Sequence, residues 1–250
     1  MSQGLPFPGS YRILYTEFNN RHSMTAQLVK LETAPDLVEQ VYGSLLDAIC
    51  EGSLAPGQRL TQEDIAERLA VSRQPVLQAL RLLKKDGFVL DAPGRGVLVA
   101  PLDAEWISKV YQVRGALDAL AARLAAERRC RIDPRLVEQG RKAARGRNVK
   151  AMIDTDIAFH SAIYAASGNP LIEQSAHQHW RHLRRVMGAV LQSSRQREAL
   201  WNEHEAIAKA IAAGDGERAA RLIDNHSRQA SENLTCRLSH VLNLREGNKP

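Results

Sequence analysis

The sequence predicts a mainly α-helical protein, with an N-terminal winged helix-turn-helix carrying a small β-hairpin wing and a C-terminal all-α antiparallel helix bundle. Three observations carry this. Residues 71–90 hold a helix with one apolar and one basic face. A turn-rich segment between two β-branched runs follows it. Beyond residue 103, six segments of helical periodicity succeed one another without a convincing strand.

Residues 1–34, with Gly4, Pro6, Pro8 and Gly9 and little periodicity, read as a mobile tail, and Met24 is an alternative start. From 36 to about 51, Leu37, Val38, Val41, Leu45 and Ile49 mark an amphipathic first helix. A short helix follows Thr61, its N-cap, and buries Ile65, Ala66 and Leu69. Only Ala70 and Val71 separate it from the next helix, expected over 73–86, with Ser72 placed to cap the first turn through its hydroxyl and Gly87 suited to a left-handed C-terminal residue. Val76, Ala79, Leu80 and Leu83 give that helix its core stripe, while Arg73, Leu77, Arg81 and Lys84 face away.

A lone basic helix face is most simply solvated surface. Here it is the second member of a tight helix pair, the arrangement that lays a recognition helix in the DNA major groove. Residues 88–90 and 97–99 flank Asp91-Ala-Pro-Gly-Arg-Gly96, a hairpin with Arg95 at its tip, placed as a wing beside that helix.

Composition sets limits. The chain has 250 residues, 44% of them hydrophobic, enough for one large or two modest domains, each with a core. No apolar run is long enough for a membrane span and no signal-peptide pattern opens the chain, so a cytoplasmic protein is expected. Cys50, Cys130 and Cys236 lack metal or disulfide spacing and read as buried or idle thiols. The net charge of +6 suits a nucleic-acid partner, yet residues 35–101 hold seven bases against nine acids, a net of −2. The DNA argument therefore rests on where charge lies. The basic run at 141–147 reads as solvated helix surface.

Residues 36–101 resemble the DNA-binding domain of the GntR family of bacterial transcription regulators, chiefly through Leu54-Ala-Pro-Gly-Gln-Arg-Leu60, Val71-Ser-Arg-Gln-Pro-Val76 and the end containing Gly87. The residues expected at the DNA are Arg59, Ser72, Arg73, Gln74, Leu77, Gln78, Arg81 and Arg95. One departure matters: Leu77 and Gln78 stand where the family usually has Arg-Glu. Leu77 cannot donate a hydrogen bond, so the operator should differ there, or a thymine methyl replaces the polar contact.

Past the linker 101–103, with Asp103 as a cap, helices are expected over 104–129, 133–147, 149–166, 170–193, 195–213 and 215–243. Asp133-Pro134, Ser167-Gly-Asn-Pro170 and Gly214-Asp215-Gly216 punctuate them. Asp156 and His160 share one helix face a turn apart, and His204 and His226 lie beside apolar positions on two later helices. Such a set can aim one carboxylate and three imidazoles at one point, suiting Zn, Ni or Co, although each histidine alone reads more simply as a packed or surface residue. Arg114 shares an inward face with Val110, Leu117 and Ala121 and needs a partner such as Asp118 or Asp156. Trp180 reads as packing, Arg184 and Arg185 as surface, and His22, His177, His179, His182 and His240 as surface or packing.

Residues 104–242 resemble the FCD ligand-sensing domain of FadR-type GntR regulators, in its six-helix variety, through Tyr111-Gln-Val-Arg114, the stretch from Asp156 to His160, Ser167-Gly-Asn169, and His204 with the helix down to Gly214-Asp215. The resemblance implies that Asp156, His160, His204 and His226 bind a divalent metal, Zn first and Ni or another transition metal otherwise, and that Arg114 helps hold an organic acid beside it. The expected protein is a homodimeric DNA-binding regulator, a repressor controlled by a small carboxylate. Two readings compete: a metal-dependent hydrolase or isomerase joined to a DNA-binding head, and a regulator that answers to metal with no organic effector.

Overall fold

The computed structural model describes residues 37–146, 148–191 and 198–247. The expected tail lies outside them, as do His22 and Met24. Among the described residues the element order is α1 (Leu37–Cys50), β1 (Arg59–Leu60), α2 (Gln62–Leu69), α3 (Arg73–Lys85), β2 (Val89–Asp91), β3 (Val97–Val99), α4 (Ala104–Glu127), α5 (Pro134–Arg145), α6 (Val149–Ser167), α7 (Pro170–Val190), α8 (Glu198–Ala213) and α9 (Gly216–Gly247).

Local chemistry sets most boundaries. Thr61 Oγ1 accepts from the Asp64 N–H at 3.2 Å, and the turn from α2 into α3 closes through Ala70, whose φ of 52° is left-handed. Ser72 occupies the N-cap position of α3, but its hydroxyl makes no capping bond; the expected side-chain cap is absent there. Asp103, Asp133 and Asn169 each accept from N–H groups of the first turn of α4, α5 and α7. Helix α9 runs further than its periodicity indicated, to Gly247.

The wing also differs from expectation. It is a three-stranded antiparallel sheet in the order β1-β3-β2, with Arg59 opposite Leu98 and Val89 opposite Val99. Gly96 makes this possible. Its φ is +88°, and a Cβ there would stand 2.4 Å from the Leu60 carbonyl oxygen, so only glycine fits.

Two hydrophobic cores form. Val41, Leu45, Ile49, Val76, Leu83, Phe88 and Val99 make the interior of the head. In the bundle, Phe159, Ile163, Leu183, Ile207, Ile211, Ile223 and Leu238 are fully buried, and the alanines 121, 122, 125 and 126 let α4 lie close against its neighbours.

Helix α7 joins the halves. Tyr42 Oη of α1 donates to Asp86 Oδ2 at 2.6 Å and accepts from Arg181 Nη1 at 2.8 Å. Arg184 lies 3.8 Å from both Asp47 and Asp154. His182 stacks on Phe88 with ring centres 4.5 Å apart. Arg185, expected at the surface, is instead buried and donates to the Ala100 carbonyl. The docked head covers these side chains, and burial of Arg185 is tolerated because a carbonyl accepts from it.

Candidate functional site

Two sites arise from this frame. On the head, Arg73, Gln74 and Arg81 of α3 and Arg95 of the wing are exposed on the outside, and Leu77 and Gln78 are half-buried. Arg59 is exposed too, but its guanidinium donates to the Pro93 carbonyl and braces the wing tip. Arg73 pairs with Glu63 of α2 at 3.1 Å, both side chains exposed, so any other anion that meets this guanidinium must exchange with that acid. Exposed Ser72 completes the set at the start of α3.

In the bundle, α6 supplies Asp156 and His160, α8 His204 and α9 His226. All four are buried, and one donor atom from each lies within 4.8 Å of the others. Asp156 Oδ1 and both ring nitrogens of His204 are buried without a hydrogen-bond partner, although His204 Nε2 is 3.2 Å from Asp156 Oδ1, misaligned for a bond. Buried polar atoms are normally satisfied, so such atoms around a three-nitrogen, one-carboxylate set fit a borderline metal ion.

The electrostatics agree. Burial alone would raise the Asp156 carboxyl, but His204 and the other imidazoles outweigh it and hold the group well below the usual carboxylate range. Burial pushes His204 down to about 4 and lowers His160. Neutral imidazoles and an ionised carboxylate are the forms that ligate.

Around this set lies a second ring. Glu203 Oε2 is 2.9 Å from His226 Nδ1, the carboxylate–histidine arrangement that orients metal ligands. The sequence placed Glu203 beside His204 without linking it to His226, because the partners stand on different helices. Arg114 of α4 is 98% buried, 3.1 Å from Asp118 Oδ2, 3.0 Å from His160 Nε2 and 3.9 Å above the Trp180 ring. Asp118 also accepts from Tyr164 and from Ser227 Oγ at 3.1 Å. Burial would raise this carboxyl, but the Arg114 guanidinium holds it far below its ordinary value.

Comparison with known proteins places both halves. The family described as "Bacterial regulatory proteins, gntR family" matches residues 37–99, and the "FCD domain" matches 109–229. The HTH-type transcriptional regulator LutR of Bacillus subtilis is 32% identical over 205 residues, a match covering 68% of this chain and 89% of LutR. The chain belongs to the GntR family. It is a DNA-binding transcription regulator of the GntR/FCD type. This GntR regulator is also similar to the HTH-type transcriptional repressor RspR of Escherichia coli, 25% identical with 78% of this chain and 88% of RspR covered. The solved structure of E. coli McbR/YncC shares the fold, with a TM-score of 0.66 at 22% identity over 83% of this chain and 98% of that one. Among the described residues no helix is long and apolar enough to cross a membrane.

Proposed function

We propose that this GntR regulator is a homodimeric repressor whose operator affinity is set by a small carboxylate bound beside a divalent metal, zinc in the first instance, in the FCD bundle. The observation that carries the reading is the buried, unpartnered donor set of Asp156 and His204 within the quartet, with the Arg114 cation beside it. Asp156, His160, His204 and His226 would hold the ion. Bound there, the metal would supply a Lewis-acidic anchor for an anion. Arg114, held by Asp118 and packed on Trp180, would offer a preorganised guanidinium that needs little rearrangement to meet a carboxylate.

Arg73, Gln74, Leu77, Gln78 and Arg81 would read the major groove, with Arg95 on the adjoining backbone or minor groove, and Arg59 and Ser72 near phosphates. Leu77 replaces a hydrogen-bonding side chain by an apolar one, which favours a thymine methyl. Repression is supported by the name of the relative RspR. Dimerisation is supported by an apolar stripe on the outer face of α4, where Trp106, Val113 and Leu120 recur at seven-residue intervals and are 51%, 51% and 39% exposed. The acid releases DNA only if it binds the DNA-incompetent arrangement more tightly.

The test is thermal unfolding against small carboxylates before and after metal is stripped with a chelator, with elemental analysis of wild type and His204→Ala. The expected result is an acid that raises the midpoint of the metal-loaded form alone, with metal content lowered in the variant. Unchanged metal content in His204→Ala would overturn the metal reading. An acid that stabilises neither form would remove the effector.

A further inference from the structure

A cavity of about 200 Å³ opens beside the metal centre, and Asp156 stands in the wall between them. Most of its surface is apolar, from Met152, Met187, Leu191, Leu200, Trp201 and Leu234. Its size is below the roughly 300–1,000 Å³ of pockets for drug-sized ligands, so it takes a small molecule. Two unbranched methionines let the wall adapt to the body of such a ligand.

The cavity wall holds polar groups besides Asp156. Arg237 and Asn233 line it from α9. Arg237 is half-buried and pairs with no acid among the described residues, unlike Arg114, Arg141 and Arg184, each of which has a carboxylate nearby. A cation with no acid partner among the described residues, beside an apolar cavity, is an anchor that an anion can meet.

Helical geometry sets its reach. His226, Ala230, Leu234 and Arg237 follow one face of α9, and eleven residues separate His226 from Arg237, three turns or about 16 Å along the axis. Side chains on a helix lean toward its N-terminus, a direction that shortens the span between an Arg237 guanidinium and the level of His226 to one a short molecule can bridge.

We propose that Arg237 is a second anchor in this cavity and that the effector is a dicarboxylate, one carboxylate at the metal centre, the other at Arg237, and a short apolar body between. This rests on reading the centre as an acid sensor. A monocarboxylate satisfies the inner end and leaves the Arg237 end with water.

The test is calorimetric titration of the metal-loaded full chain with succinate, glutarate and adipate, each beside the monoacid of the same chain length, on wild type, Arg237→Ala and Arg237→Lys. At least one diacid is expected to bind wild type about tenfold tighter than its matched monoacid, the strength of one charge-assisted contact. Arg237→Ala should bring the pair to parity, Arg237→Lys should restore part of the preference, and metal content should be the same in all three proteins. Monoacids that bind with metal dependence while diacids bind no better, or a preference that survives Arg237→Ala, would overturn the second anchor and leave the sensor reading intact. Failure of every acid to bind the metal-loaded wild type would overturn both.

Discussion

Arg114 Nη2 lies 3.1 Å from Asp118 Oδ2, one turn along α4, with both side chains buried, and the same nitrogen reaches the ring of His160. One guanidinium thus ties an internal carboxylate to the Asp156, His160, His204 and His226 quartet. Removing Asp118 leaves that cation uncompensated in the interior, so Asp118→Ala should cost about 3–5 kcal/mol of stability, measured by urea unfolding. A loss below about 1 kcal/mol would show that Asp118 does not neutralise Arg114.

At the DNA face, Arg73 is already engaged by Glu63. Arg73→Ala should weaken operator binding by roughly 1–3 kcal/mol, and Leu77→Ala by less, because only the arginine can hydrogen-bond a base edge. Glu63→Gln should tighten binding by freeing that arginine. Equal losses for the two alanine variants in an operator titration at fixed salt would refute this assignment.

Gly140 of α5 accepts the Trp201 ring so closely that a Cβ would stand 2.0 Å from it. The indole is rigid and cannot yield by a bond rotation at its end. Gly140→Ala should therefore destabilise the bundle by about 1–3 kcal/mol. It should also weaken binding of any ligand of the adjoining cavity, whose wall includes Trp201. Unfolding midpoints and tryptophan fluorescence check both.

His182 supplies a pH dependence. Burial, helped by Arg185 and His179, holds its imidazole down to about 4, against an ordinary 6.5. Between those values the unfolded chain binds the proton and the folded one does not, so stability falls as pH drops from about 6.5 toward 4, by up to about 3 kcal/mol. His204, also near 4, acts in the same window in metal-free protein. His182→Gln should flatten the fall in part when urea unfolding is compared at pH 7.5 and 5. An unchanged slope would count against the assignment.

The exposed stripe on α4 gives a test of assembly. Val113→Asp places a charge in the middle of the proposed interface and should yield monomers in sedimentation, with metal content retained. A dimer that persists at micromolar concentration would put the interface elsewhere.

Much of this architecture was legible because it is written locally. The caps Thr61, Asp103 and Asp133 announce their helices, and the core stripe of α3 fixes which side of it faces out. Strand β1 escaped because two residues carry no periodicity. Arg185 reads as surface in the sequence because its burial, like the packing of His182 on Phe88, is created by docking of the head, a contact between distant parts of the chain. The candidate metal quartet was readable as residue types on three helices. The register that brings them within 4.8 Å, and Glu203 behind His226, depends on how α6, α8 and α9 slide against one another.

The seam along α7 has a mechanical consequence. Each half owns an oily interior that resists deformation, whereas much of what fastens one to the other consists of partly wetted charges such as Arg181, Arg184, Asp47 and Asp86. Electrolyte weakens exactly that kind of fastening, over about 8 Å at physiological strength, and leaves the interiors untouched. Electrolyte is therefore expected to loosen the tilt of the reading head before it disturbs either interior.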